Sequence, residues 1–311
     1  MGTRQTGQLV LGTAQLGLAY GVANAHGQPE ESQARLILRA AANAGVRWID
    51  TAAAYGSSEA RIGAHLPTHA GCRIVTKLAP LDDLNDDTPL GLVLRAVDDS
   101  VRRSCTRLRT DRLDAVLLHR AHQLTWRGGV VWRRLKTLRD EGAIFDLGVS
   151  VYSPEEALAA LAIPCVRHVQ LPFNLLDWRW RNSDVVETLT RRGDVTVHVR
   201  SIYLQGLLAA GDQAQWPAIN GVDAAALNAT LQRLAGELGR DSVADLCLAY
   251  VRGQNWIDGI VVGMERAAQL ASNLALFKRP ALTSDEVQAV ERALPLAPVQ
   301  LLNPAQWPKA A

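Results

Sequence analysis

Val46-Arg47-Trp48-Ile49-Asp50-Thr51-Ala52-Ala53-Ala54-Tyr55-Gly56 begins as an apolar run, ends that run on a carboxylate and opens onto a tyrosine. Two later runs repeat the pattern. Arg73-Ile74-Val75-Thr76-Lys77 ends on an ammonium, and Leu113-Asp114-Ala115-Val116-Leu117-Leu118-His119 ends on an imidazole. Apolar runs of this length read as buried β-strands. In a parallel α/β barrel, the C-terminal strand ends and the loops after them form the active face. Three consecutive strands that end in an ionisable residue therefore make Asp50, Tyr55, Lys77 and His119 the candidate catalytic group.

Outward from these runs, short apolar segments alternate with longer helical patterns, which predicts a parallel sheet with crossover helices. Further strands are expected at about residues 8–12, 144–149, 166–171, 195–200 and 259–262. A helix over about residues 29–45 would turn Ala34, Leu36, Ile37, Ala40, Ala41 and Ala44 to one face, with Gly45 as its C-terminal cap. One over about 89–108 carries Leu92, Leu94, Val97 and Val101, and another would run from about Val130 to Glu141 and stop at Gly142. Ser153-Pro154-Glu155-Glu156 combines an N-cap, a first-turn proline and early acids. Eight strands interleaved with helices predict one closed (β/α)8 TIM barrel, a single domain over residues 1–311. An open doubly wound sheet is disfavoured, because Gly12-Thr13-Ala14-Gln15-Leu16-Gly17 lacks the G-x-G-x-x-G spacing. No phosphate loop of the Walker type, H-E-x-x-H or G-x-S-x-G is present.

The bulk numbers narrow the function classes. With 33 Lys+Arg against 31 Asp+Glu, the net charge of +2 supports neither a nucleic-acid nor a membrane-surface partner. Cys72, Cys105, Cys165 and Cys247 lack C-x-x-C spacing, so buried reduced thiols are expected rather than zinc or disulfides. There is no basic segment followed by an apolar one at the N-terminus and no run of transmembrane length, so the expected compartment is cytoplasmic. Only four of the 33 basic residues are lysines, namely Lys77, Lys136, Lys278 and Lys309. A lysine kept inside an apolar strand of so arginine-rich a chain stands out, because only lysine has a cation whose pKa moves readily on burial.

Taken in order, the motifs resemble the aldo-keto reductase superfamily over nearly the whole chain. They are Trp48-Ile49-Asp50-Thr51-Ala52-x-x-Tyr55-Gly56-x-Ser58-Glu59-x-x-Ile62-Gly63, Thr76-Lys77 and Asp114-x-x-Leu117-Leu118-His119. Then come Leu147-Gly148-Val149-Ser150, Gln170-x-x-Phe173-Asn174, Ser201-x-x-x-Gln205-Gly206-Leu207-Leu208, and Val262-Gly263 with Gln269-Leu270-x-x-Asn273. The resemblance implies that Asp50, Tyr55, Lys77 and His119 form a catalytic tetrad under a nicotinamide cofactor. It also implies that Ser150 and Gln170 hold the nicotinamide carboxamide, and that Ser201, Leu204, Gln205, Gly206 and Leu207 clasp the pyrophosphate. Gly263, Met264, Gln269 and Asn273 would form the adenosine end, and Thr13 joins the same cofactor-binding set. Two positions depart from the family pattern. Val151 stands where many relatives have Asn, and Arg200 stands where many have an aromatic residue stacked on the nicotinamide. Arg200 is expected to stack or to bind a substrate anion; a salt bridge at the barrel mouth is the alternative.

The residues themselves support carbonyl chemistry. Hydride delivery to a carbonyl leaves negative charge on oxygen, which needs a proton donor or strong hydrogen bonds. Tyrosine, with a pKa of about 10, is a poor acid unless tuned. A lysine cation at roughly 4 Å contributes about 4 kcal/mol at an effective dielectric near 20, or up to roughly three pKa units. Lys77 is thus expected to lower the Tyr55 pKa, with Asp50 keeping Lys77 charged and His119 orienting the substrate oxygen. Blander roles are helix capping for Asp50, a surface ion pair for Lys77, core packing for His119 and loop packing for Tyr55.

The cofactor expected from the resemblance is NADP(H), with NAD(H) left open because Gly263, Met264 and Gln269 replace phosphate-binding residues. Glu265 suits a 2′-hydroxyl, and Arg266 a 2′-phosphate. The expected partner is a small-molecule carbonyl or alcohol, sugar chemistry being suggested by candidate wall residues Gln15, Tyr20, His122, Trp126, Trp178, Trp180 and Trp307. Packing at the barrel ends is the other role for these tryptophans. A regulatory subunit that binds cofactor with little turnover, and a Schiff-base barrel enzyme using Lys77, are the rival functions. A homo-oligomer is compatible with the chain.

Overall fold

The computed structural model describes residues 7–21, 24, 27–67, 70–211 and 215–308. Eight parallel strands close into a barrel in simple sequential order. They are β1 (Gln8–Gly12), β2 (Trp48–Asp50), β3 (Arg73–Lys77), β4 (Leu113–Leu118), β5 (Ile144–Ser150), β6 (His168–Pro172), β7 (Thr196–Arg200) and β8 (Gly259–Gly263). Helices follow the strands and cover the barrel, which is the expected (β/α)8 architecture.

Strand alternation decides what faces the barrel axis. Trp48 and Asp50 share one face of β2, Val75 and Lys77 one face of β3, and His168 and Gln170 one face of β6. His198 and Arg200 do the same on β7. Contacts between non-adjacent strands identify this face as the interior: the rings of Trp48 and His168 lie 5.8 Å apart, and those of Trp48 and His198 5.2 Å. The register places Asp50 beside Gly12, Lys77 beside Leu117, Ser150 beside Gln170 and Gly12 beside Gly263. The inward positions at the C-terminal rim are therefore those the sequence marked for chemistry.

The layer between strands and helices is aliphatic and forms the main core. Two helices bury most of the expected face, Ala34, Ile37 and Ala41 in one and Val97 and Val101 in the other, but not every residue of it. In Glu31–Asn43, Leu38 is buried and Leu36 is 49 % exposed; in Leu90–Leu108, Val93 is buried and Leu92 is 46 % exposed. Adjacent apolar residues leave the phase undecided, since one step along a helix turns a side chain by about 100°. The N-cap at Ser153 forms as expected, its hydroxyl accepting from the Glu156 amide at 3.3 Å. At Arg127-Gly128-Gly129 the backbone is left-handed, so regular helix resumes at about Val130. Three thiols depart from expectation: Cys72, Cys105 and Cys165 are half-buried and only Cys247 is fully buried, all four unpaired. Among the described residues no helix is long and apolar enough to cross a membrane.

Low in the barrel, His168 and His198 pack edge to face with ring centroids 4.3 Å apart, and both are buried. Burial holds the His198 imidazole down at about 3 and His168 well below the usual range, with the Lys77 and Arg73 charges adding. In the unfolded chain a histidine titrates near 6.5. Between these values the unfolded state takes up protons that the fold refuses, so stability falls as pH drops below about 6.5. Each histidine contributes at most about 1.4 kcal/mol per pH unit in that window. Denaturant titrations of His198→Leu between pH 6.5 and 4 should give a shallower acid limb than wild type; an unchanged slope would mean that His198 is not held neutral.

Candidate active site

The inward residues of β2 and β3 meet as a buried ion pair. The Lys77 ammonium donates to both Asp50 carboxylate oxygens, at 2.7 and 2.9 Å, and to the Thr51 carbonyl at 2.9 Å. Both side chains are almost wholly enclosed. A buried charge must be paired and hydrogen-bonded, and all three ammonium donors are used. Asp50 also accepts from the Gln170 amide at 2.6 Å, across the barrel from β6.

The loop after β2 carries Tyr55. Its ring lies 5.0 Å from the Lys77 nitrogen, measured to the ring centroid, and packs edge to face against His119 at 6.2 Å. The four expected catalytic residues are thus brought together. His119 stands one residue past the end of β4 and keeps a buried Nδ1 without a partner. Two glycines fix the tyrosine loop. A Cβ on Gly17 would overlap the Tyr55 carbonyl, and one on Gly56 would overlap the Gly17 carbonyl. A chain of buried hydroxyls braces the same loop from below: Thr51 donates to Ser58 at 3.0 Å, Ser58 to Thr13 at 2.7 Å, and Thr13 to the Asp50 carbonyl at 2.7 Å.

The electrostatics correct one expectation. The Tyr55 pKa is raised, not lowered, because burial and then the Asp50 carboxylate outweigh the opposing Arg200 cation. The Lys77 charge is already met at close range by Asp50, and burial still leaves the Lys77 pKa below its ordinary value. Burial, with the Lys77, Arg120 and Arg200 cations, brings His119 down to about 3, so its imidazole is neutral at physiological pH.

A cavity of about 610 Å³ leads away from this group. Asp50, Tyr55 and Arg200 line its head, and Gln269, Ser272 and Asn273 line its wall beyond β8. Of the expected cofactor residues, Thr13, Arg200, Ser201, Gln205, Gly206, Gly263, Gln269 and Asn273 reach the cavity. Leu204, Leu207 and Met264 turn their side chains into the core, so only their backbone is available to a ligand. Ser150 and Gln170 are buried and do not line the cavity, and among the described residues the Gln170 side-chain carbonyl oxygen has no donor. Ser201, Leu204, Gln205 and Gly206 all have left-handed backbone, a conformation rare for non-glycine residues and concentrated at ligand clamps. Gln269 caps its own helix: its carbonyl accepts from the Glu265 and Arg266 amides at 2.8 and 2.9 Å, and its amide donates to the Glu265 carboxylate at 2.9 Å.

Among the described residues Arg200 makes no salt bridge. Its guanidinium lies 4.4 Å from the Tyr152 ring centroid and reaches the Val151 carbonyl at 3.4 Å. Of the expected wall residues, Gln15 and Tyr20 line the cavity, while the tryptophans do not. Trp126, Trp178, Trp180 and Trp307 donate their indole N–H groups to Asp86, Ala297, Asp177 and Leu301. Tyr152 and the hydroxyl chain through Ser58 escaped sequence reasoning. Ser58 carried a signal, as a small polar residue three after Tyr55 in the motif; Tyr152 carried none, because its partner is on another strand.

The chain belongs to the aldo-keto reductase family. The model of the Aldo/keto reductase family matches residues 8–295. YqkF, an uncharacterized oxidoreductase of Bacillus subtilis, is 22 % identical over 84 % of this chain and 88 % of its own length. An aldo-keto reductase of Mycolicibacterium smegmatis is 30 % identical over 46 % of this chain and 51 % of its own. Among solved structures, a putative aldo-keto reductase from Pseudomonas aeruginosa is 25 % identical, with a TM-score of 0.63 over 87 % of this chain and 89 % of that one. The fold is also that of an aldo-keto reductase from Bacillus halodurans in its holo form, at 22 % identity and a TM-score of 0.73 over 94 % and 96 % of the two chains. A general oxidoreductase role follows from the family. Nicotinamide cofactors are general in that family, and the donorless Gln170 oxygen and the left-handed 204–206 turn suit such a ligand.

Proposed function

We propose that this chain interconverts an aldehyde or ketone and its alcohol by hydride transfer with NAD(P)(H), Tyr55 acting as acid/base. The observation that carries this reading is the half-buried Tyr55 ring, set over an ammonium that Asp50 neutralises, at the head of a cavity long enough to continue to Asn273. A bound reduced nicotinamide supplies the hydride. Tyr55 gives the proton to the carbonyl oxygen; its raised pKa keeps it protonated at neutral pH, so it enters the reaction as an acid. The neutral His119 offers an N–H to the same oxygen and orients it. Lys77 and Asp50 hold a fixed dipole beneath the phenol.

For the cofactor, the carboxamide falls by resemblance to Gln170 and its β5 neighbour Ser150; both are enclosed, so a local opening would have to bring the Gln170 oxygen to the cavity. The backbone of Ser201–Leu207 would receive the phosphates, and Asn273 the adenine. Glu265, its carboxylate held by Gln269, favours the 2′-hydroxyl of NAD(H), whereas Arg266 on the same rim favours the 2′-phosphate of NADP(H). The substrate is a small polar carbonyl compound, sugar-derived aldehydes included.

Titration with NADPH and NADH, followed by tryptophan fluorescence and calorimetry, tests the reading. Micromolar affinity for one of them is expected, and the preferred nucleotide reports whether Glu265 or Arg266 governs the 2′ position. An absence of binding at millimolar nucleotide would sink the proposal. Tight binding without turnover on any aldehyde would instead favour a regulatory, cofactor-sensing subunit.

A further inference from the structure

Arg200 is the feature this chemistry leaves unexplained. It ends β7 on the inward face and lines the head of the cavity with Tyr55 and Asp50. The Asp50 charge is matched by Lys77 through two hydrogen bonds. Arg200 has only an aromatic ring and one carbonyl as neighbours of interest, and among the described residues no carboxylate pairs with it. Its guanidinium cannot lose its proton in a protein. The head of the cavity therefore carries one uncompensated positive charge. Its reach is felt at Tyr20, Tyr55, Lys77 and His119, whose pKa values it pulls downward.

Hydride transfer at Tyr55 requires the nicotinamide ring to occupy this end. The oxidised ring is a pyridinium cation, while the reduced ring is neutral. We propose that Arg200 selects the redox state of the cofactor: its unpaired cation makes the site bind the reduced dinucleotide more tightly than the oxidised one, which loads the enzyme with the reduced form and speeds release of the spent cofactor, at the cost of a bound ring that gives up its hydride less readily. This rests on the cofactor reading above. Like charges a few ångströms apart repel, and partial access to solvent moderates the effect.

The test is calorimetric affinity for the reduced and oxidised forms of one nucleotide. Wild-type protein should prefer the reduced form by about tenfold, a difference of about 1.4 kcal/mol. Arg200→Gln should bring the ratio close to one, chiefly by tightening the oxidised form, while Arg200→Lys, which keeps the charge, should retain most of the preference. Equal affinities in the wild type, or a ratio unmoved by Arg200→Gln, would overturn the inference and leave the cofactor reading intact. Failure of every form to bind would overturn both.

Discussion

Tyr55→Phe is expected to lower kcat by roughly 10² to 10⁴, with nucleotide affinity little changed. The substitution deletes one oxygen. The ring that packs against His119 and lies over the Lys77 ammonium is retained, so neither the loop nor the ion pair loses a packing partner. What is lost is the donor to the developing alkoxide, an interaction made only as charge appears on oxygen. A loss of that kind falls on kcat rather than on ground-state binding, and corresponds to a barrier increase of about 3 to 5 kcal/mol. The raised pKa of Tyr55 adds a pH signature. Its proton is held beyond the ordinary tyrosine range, so no loss of reduction between neutrality and about pH 10, the unperturbed tyrosine value, should trace to Tyr55; a basic limb in that range would belong to Lys77, whose pKa burial lowers. Steady-state kinetics across that range checks both points. A variant that turns over like the wild type would remove Tyr55 from the chemistry and shift attention to His119.

Legibility in the sequence differed by kind of feature. Strands β1 and β3 were readable to the residue, because an apolar run closed by a glycine or a charge has few alternatives. Asp50 and Lys77 of the candidate catalytic group were readable for the same reason: alternation sends every second residue inward, and the last inward residue of a strand is the one at the rim. Helix phase was harder, as Leu36 against Leu38 illustrates, since both are apolar and only the sheet beneath decides between them. Contacts between distant strands left no local trace. Gln170 donates to Asp50 across 120 positions of sequence, and Arg200 finds Tyr152 only because β5 and β7 both end near β6. The four tryptophans misled in the opposite sense: large and amphipathic, they suit a pocket wall and a loop clasp equally, and here their N–H groups bind protein carbonyls and carboxylates.

The pair beneath the tyrosine makes the larger prediction for stability. Lys77→Met keeps the approximate length and shape of the side chain but removes the charge. Asp50 would then be a buried carboxylate with the Gln170 amide as its remaining side-chain donor. Breaking a buried ion pair by removing one partner typically costs about 3 to 5 kcal/mol, because an uncompensated charge is left behind. For a chain of this size that corresponds to a melting point lower by roughly 10 °C. The pair itself need not be stabilising, since desolvation of both groups offsets much of their attraction. The double variant Asp50→Leu with Lys77→Met should therefore recover most of the lost stability, while its activity stays as low as that of either single variant. This contrast separates two roles that one substitution confounds. Recovery of stability without activity would mean that the charges are retained for the chemistry above them, and that the fold alone tolerates an apolar pair. A Lys77→Met protein as stable as wild type would show that Asp50 is satisfied without the ammonium, and the ion pair could not then be the foundation on which Tyr55 is set.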